Sequence, residues 1–109
     1  MAKTRIDKTI KKTLDKYISK ISEHYSIDAV YLFGSFAKGN QHADSDIDIA
    51  VVSRDVKDET DDMAKMMTLS WGIDTRIEPH PIRSDDFLKK EGSFINEVLR
   101  TGIPLYSST

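Results

Sequence analysis

The stretch that decides the fold is residues 29–52, which read AVYLFGSFAKGNQHADSDIDIAVV. Its first five residues are aliphatic, β-branched or aromatic and stop at Gly34, a pattern typical of a buried strand that enters a tight turn. Residues 46–52 alternate between polar and apolar and then become wholly apolar, which predicts a central strand whose first end is exposed to solvent and whose second end is buried. A buried strand and a central strand, joined by a polar loop, are therefore expected.

Helices are predicted on both sides of this unit. Apolar residues recur every three or four positions over residues 4–24, the spacing of one helix face, so a long amphipathic helix precedes the first strand. An acidic start leads into a second helix over residues 58–69, with Gly72 as its stop. A last helix is predicted from Ser93 until Gly102, followed by an extended tail.

A third strand is predicted at residues 73–78, which read IDTRIE and alternate again before Pro79. Asp74, Arg76 and Glu78 would share one face of this strand. The order helix, strand, strand, helix, strand, helix indicates the α/β (α+β) class, with a small mixed β-sheet and helices packed on it.

Composition limits the functions that are open to the chain. Its 109 residues, 39% of them hydrophobic and 31% charged, predict a single globular domain over residues 1–109. The absence of Cys excludes disulfides, thiolate zinc sites and Cys nucleophiles. No apolar run approaches the ~20 residues of a membrane span, and no apolar signal segment follows Met1. A cytoplasmic location with no membrane partner is therefore expected.

The charges are divided unevenly along the chain. Residues 1–20 carry a net +5, whereas residues 44–62 carry a net −6. A basic helix could contact nucleic acid or an acidic partner, or it could be an ordinary solvated face.

Asp46 and Asp48 lie two positions apart on the second predicted strand, so both side chains leave the same face, roughly 7 Å apart at the backbone. Two such carboxylates repel each other unless a hard divalent cation neutralises them, and Mg²⁺ fits best. The alternative is an exposed acidic strand end. An EF-hand is excluded, because Ile49 stands where that loop needs Gly.

The turn GSFAKG at residues 34–39 directly follows a buried strand. Free backbone N–H groups and a small hydroxyl in such a turn can cradle a polyphosphate. It is no Walker A loop, because Asn40 and Gln41 follow Gly39. A plain connector is the alternative for this turn taken alone.

Together, GSFAKG, SDIDIAV at residues 45–51 and IDTRIEP at residues 73–79 resemble the signature of the DNA polymerase beta-type nucleotidyltransferase superfamily. The third segment is similar to the strand that carries the third carboxylate of that superfamily. The short chain is similar to the minimal nucleotidyltransferases, which are often the antitoxin half of pairs whose toxin is a HEPN-type ribonuclease. The resemblance implies a polymerase beta-type nucleotidyltransferase fold.

The resemblance also implies roles for particular residues. The catalytic and metal-binding residues would be Asp46, Asp48 and Asp74, which would hold two Mg²⁺ ions. The nucleotide-binding residues would be Gly34, Ser35, Lys38 and Ser45. Lys38 could instead be solvated, and Ser45 could instead cap the loop that enters the strand.

Three further side chains lie on or near these motifs. Arg76 is expected to pair with a carboxylate and fix its rotamer. Glu78 would replace Asp74 as the third ligand if the strand register were offset by two or more residues. His24, His42 and His80 show no ligand spacing, so no metal role is expected for them.

The activity implied by the resemblance is transfer of a nucleoside monophosphate, most simply AMP from ATP, onto a hydroxyl group of a partner protein. The partner would be a HEPN-type toxin that the modification silences. Two alternatives stay open: a non-catalytic antitoxin that masks its partner, and nucleotide transfer to an RNA end.

Overall fold

The computed structural model describes residues 6–39 and 45–108, which form five helices and four strands. The start of the predicted first helix and His42 lie outside the described residues. No helix in the described part is long and apolar enough to cross a membrane. In chain order the elements are α1 (Lys8–Ile21), β1 (Ile27–Phe33), α2 (Ser35–Lys38), β2 (Ile47–Ser53), α3 (Glu59–Thr68), β3 (Ile77–Arg83), α4 (Ser84–Lys89), α5 (Ser93–Thr101) and β4 (Ile103–Ser107).

The four strands form one mixed sheet in the order β3-β2-β1-β4. β1 is antiparallel to β2 and to β4, whereas β3 is parallel to β2. The predicted small mixed sheet with packed helices is confirmed, and the predicted extended tail is the edge strand β4. The predicted buried strand, β1, and the predicted central strand, β2, are the two inner strands of the sheet.

The helix α1 packs its apolar stripe against the sheet, as the spacing predicts. The Asp7 carboxylate accepts hydrogen bonds from two N–H groups of the first turn, at 2.8 and 3.3 Å, and so caps the helix. Leu14, Tyr17 and Ile21 are fully buried. The Tyr17 hydroxyl donates to the Met66 carbonyl at 2.6 Å, which ties α1 to α3.

The alternation along β2 divides the core into two clusters. Ile47, Ile49 and Val51 pack with α1 on one face of the sheet. Ala50 and Val52 pack on the other face with Ile95 and Val98 of α5. Because side chains alternate along a strand, Asp48 lies on the same face as Ala50, at the end of the sheet where α5 begins.

The predicted position of the third strand is wrong. Residues 73–76 form a turn after α3, in which the Asp74 N–H donates to the Ser70 carbonyl at 3.1 Å. β3 begins at Ile77 and passes through Pro79 and Pro81. The strand tolerates both prolines because it is an edge strand, in which every second N–H points away from the sheet and needs no strand partner.

Candidate active site

Three acidic side chains meet where β2 and β3 begin. Asp46 directly precedes β2 and is exposed, whereas Asp48 lies within the strand with 25% of its side chain exposed. The parallel register places Glu78 of β3 directly opposite Asp48. Asp46 also acts on Glu78 and contributes to raising its pKa. Of the two predicted aspartates, Asp48 therefore faces Glu78 directly, whereas Glu78 was expected only as a substitute ligand.

The electrostatics of this acidic cluster are unfavourable in the absence of a cation. Partial burial, then the negative charge of Asp48 and the hydrogen bond to Asp46, raise the pKa of Glu78 above its usual value. A carboxylate whose pKa is raised by neighbouring carboxylates belongs to the kind of oxygen-rich site that binds a hard divalent cation. The donor set therefore fits the metal that the resemblance implies.

His80 completes the cluster, although its isolation in sequence gave no reason to expect this. Its Nε2 atom lies 3.2 Å from Asp48 Oδ1 and 3.5 Å from Glu78 Oε1. One ligand atom from each of Asp48, Glu78 and His80 lies within 4.8 Å of the others, so the three could hold one metal ion. The ring packs against Phe33 and Phe94, with centroids 5.1 and 5.7 Å away, which restricts its orientation.

The signal for His80 is its spacing of two from Glu78. That spacing puts both side chains on one face of a strand, but it becomes informative only when the strand is known to start at Ile77.

The glycine turn lies directly against the acidic cluster. Gly34 has φ +76° and ψ −152°, and a Cβ atom added there would lie 2.6 Å from Asp48 Oδ2. Only glycine permits this close approach of backbone to carboxylate. Phe36 and Ala37 of α2 are buried and anchor the turn, while Ser35 is partly exposed and Lys38 is exposed. The turn is held in a fixed position beside Asp48.

Ser45 is buried just before β2, with 8% of its surface exposed. It directly precedes Asp46 at the point where the chain enters the strand, and its nucleotide-binding role stays a prediction.

Asp74 is engaged elsewhere. Its carboxylate accepts from Arg76 Nη2 at 2.8 Å and from Arg76 Nε at 3.1 Å, a bidentate ion pair. These hydrogen bonds, which outweigh partial burial, lower the pKa of Asp74. Arg76 therefore pairs with a carboxylate, and its guanidinium also lies 6.0 Å from the centre of the Phe36 ring. Among the described residues, the group that could hold a metal ion is Asp48, Glu78 and His80, and it includes neither Asp74 nor Asp46.

Known proteins share sequence features with this chain. The family model described as "Polymerase beta, Nucleotidyltransferase" matches residues 9–109. Over 58 residues, 53% of this chain, the sequence is 36% identical to protein adenylyltransferase MntA of Shewanella oneidensis. The chain spans 42% of that relative and 49% of a second one from Methanocaldococcus jannaschii, so it covers less than half of each.

Solved structures share the fold. A crystal structure from Sulfolobus solfataricus aligns over 99% of this chain and 91% of its own, with a TM-score of 0.67 and 19% identity. A toxin-antitoxin crystal structure with AMP-PNP aligns over 93% of this chain and 73% of its own, with a TM-score of 0.54 and 27% identity. Because the family model covers nearly the whole sequence and the fold agrees with it, this chain belongs to the polymerase beta nucleotidyltransferase family.

Proposed function

We propose that this chain is a Mg²⁺-dependent nucleotidyltransferase of a single domain, which moves AMP from ATP onto a hydroxyl group of a partner protein. The observation that carries the proposal is the register of Asp48 opposite Glu78, with the Gly34 turn against Asp48. The partner would be a HEPN-type toxin and the chain its antitoxin. The relative named protein adenylyltransferase MntA and the toxin-antitoxin structure with AMP-PNP support this choice of activity and partner. An ATP-consuming reaction also fits the cytoplasmic location expected from the sequence.

The acidic residues would hold the metal ions. Asp46 and Asp48 would serve as the resemblance implies, and Glu78 would take the place of Asp74 as the third carboxylate, because it is Glu78 that faces Asp48. Two bound Mg²⁺ ions would supply charge stabilisation for the attacking and leaving oxygens of an in-line displacement at the α-phosphate. Asp74 and Arg76 would instead hold the turn that leads into β3.

The Gly34 turn would receive the triphosphate. The lack of a side chain at Gly34 lets the Asp48 carboxylate lie against the backbone of the turn, and the partly exposed Ser35 and the exposed Lys38 lie within the same turn. Ser45 would fix the entry into β2. Glu78 would orient the acceptor hydroxyl from the β3 side.

The acceptor oxygen forms a bond to the α-phosphorus and releases its proton to solvent, while the bond from the α-phosphorus to the bridging oxygen breaks. Pyrophosphate leaves, and the acceptor carries AMP through a phosphodiester bond.

The test is incubation of the protein with α-labelled ATP, Mg²⁺ and the protein encoded by the neighbouring gene. The Glu78→Gln and Asp74→Asn variants form a matched pair, because each removes one negative charge from the same short segment. Label transfer should fall at least ~100-fold in Glu78→Gln, a larger loss than removal of an outer-shell partner of a metal ligand usually causes. Asp74→Asn should retain most of the transfer.

If Asp74→Asn lost more label transfer than Glu78→Gln, Asp74 and not Glu78 would be the third metal-binding carboxylate. No transfer by the wild-type protein would reject the enzyme, and neutralisation of the partner without transfer would support masking.

A further inference from the structure

A groove of about 690 Å³ extends from the acidic cluster along the edge of the sheet. It begins at His80 and continues past Ile82 of β3. Its walls come from the first turns of α3, from α4 and from the segment that enters α5. The groove therefore reaches His80, which contacts both Asp48 and Glu78, and nothing proposed so far occupies it.

The sheet order places the groove on the acceptor side of the reaction. β2 carries Asp48 between β1, which leads into the Gly34 turn, and β3, which carries Glu78 and His80. In an in-line displacement the attacking and leaving oxygens lie on opposite sides of the phosphorus. If pyrophosphate leaves towards the Gly34 turn, the acceptor hydroxyl must arrive from the β3 side, where the groove opens.

The charge of the groove indicates what it accepts. Glu59, Asp86 and Glu91 line it, and none of the three has an ion-pair partner within residues 6–39 and 45–108. Met63 and Phe94 supply apolar surface between them, and 41% of Phe94 is exposed. Unpaired carboxylates beside apolar surface repel phosphates and attract a cationic side chain with an apolar stem.

We propose that this groove seats the acceptor as a polypeptide segment that carries a Lys or Arg close to the modified hydroxyl. The inference rests on the proposed function and narrows its substrate. A nucleic-acid end is disfavoured as the acceptor, because its phosphates would meet three unpaired carboxylates. The cationic side chain lies against the acidic walls, an apolar side chain covers Phe94, and the hydroxyl reaches Glu78.

The experiment compares two triple variants in the label-transfer assay. The groove variant is Glu59→Gln, Asp86→Asn and Glu91→Gln. The matched control, Glu23→Gln, Asp61→Asn and Asp85→Asn, removes the same charge from exposed positions outside the groove. We expect the groove variant to raise the KM for the partner protein about tenfold, since several weak ion pairs are lost together. The kcat and the KM for ATP should stay within about twofold of wild type.

A second arm uses defined acceptors. Short tyrosine peptides with a neighbouring Lys should be labelled faster than the same peptides with Glu at that position, and the groove variant should lose the preference. The inference about the groove would be overturned if both triple variants had equal effects, or if neither peptide were preferred. In either case, label transfer by the wild-type protein would still support the proposed function. Labelling of a ribo-oligonucleotide 3′ end in preference to the peptides would also overturn it. A wild-type protein that labels nothing would reject the proposed function itself.

Discussion

Two carboxylates of this chain, Asp62 and Asp48, show how neighbours decide what an acidic residue does. Asp62 of α3 is buried, and it accepts from the Tyr25 hydroxyl at 2.8 Å and from the Lys57 and Asp58 N–H groups at 2.8 and 3.1 Å. Burial by itself would raise its pKa, but these hydrogen bonds outweigh burial and lower it. Every hydrogen bond around Asp62 favours the ionised form.

Asp48 has the opposite surroundings. It is partly open to solvent, faces another carboxylate and has a glycine turn where a bulkier residue would collide with it. A buried carboxylate whose oxygens all accept hydrogen bonds stabilises the fold. Neighbouring carboxylates that are partly open to solvent instead form a site where a cation can bind. Both residues are aspartates, and only their surroundings in the folded chain distinguish the structural role of Asp62 from the functional role of Asp48.

The largest expected effect comes from Asp48→Asn. Label transfer should fall at least ~100-fold, more than the loss of an outer-shell partner of a metal ligand costs. The melting temperature should not fall, since the change removes a repulsion with Glu78. Asp15→Asn, on the exposed face of α1, is the control and should leave both measurements unchanged. Full transfer by Asp48→Asn would contradict the functional role.

In contrast to Asp48→Asn, the Asp62→Asn variant should lose stability and keep its label transfer. The amide cannot accept all the hydrogen bonds of the carboxylate, so the free energy of unfolding should fall by about 1–3 kcal/mol in urea titrations. Transfer per folded molecule should persist. Asp61→Asn is the matched control, because it is the exposed neighbour in the same helical turn. If both variants unfold alike, the buried hydrogen bonds do not stabilise the fold.

The stability supplied by Asp62 should depend on pH. Its pKa is lower in the folded state than the ~3.9 of an unfolded Asp, so the stabilisation is complete above that value. It is lost as the pH falls through the folded-state pKa. The difference in unfolding free energy between wild type and Asp62→Asn should therefore shrink from pH 7 to pH 3. A difference that grows on acidification would reverse the sign of the assigned shift.

The smallest expected effect is that of Glu78→Gln on stability. In metal-free buffer the variant should be slightly more stable than wild type, by less than about 1 kcal/mol, because solvent screens the repulsion of a partly exposed group. Added Mg²⁺ or Mn²⁺ should raise the melting temperature of wild type more than that of Glu78→Gln, since a ligand of the folded state stabilises it. If the metal ions raised the melting temperatures of wild type and Glu78→Gln equally, Glu78 would not be a metal ligand.

The fold was largely predictable because strong local patterns determine it. The 3.6-residue spacing of α1 and the apolar blocks of β1 and β2 indicate their burial directly. The third strand was misplaced because its predicted alternation ended at Pro79, whereas an edge strand can continue through Pro79 and Pro81. Residues 73–76 alternate like a strand, yet the turn after α3 and the Asp74–Arg76 ion pair hold them out of the sheet.

The sequence by itself determined the glycine turn, the pair Asp46 and Asp48, and the strands that carry them, because each depends on spacing within a short segment. The tertiary structure alone decided which residue of the third segment faces that pair. The register between β2 and β3 puts Glu78 and His80 beside Asp48 and leaves Asp74 with Arg76. Register depends on long-range packing and on hydrogen bonds between strands, and a shift by one residue turns every side chain to the other face.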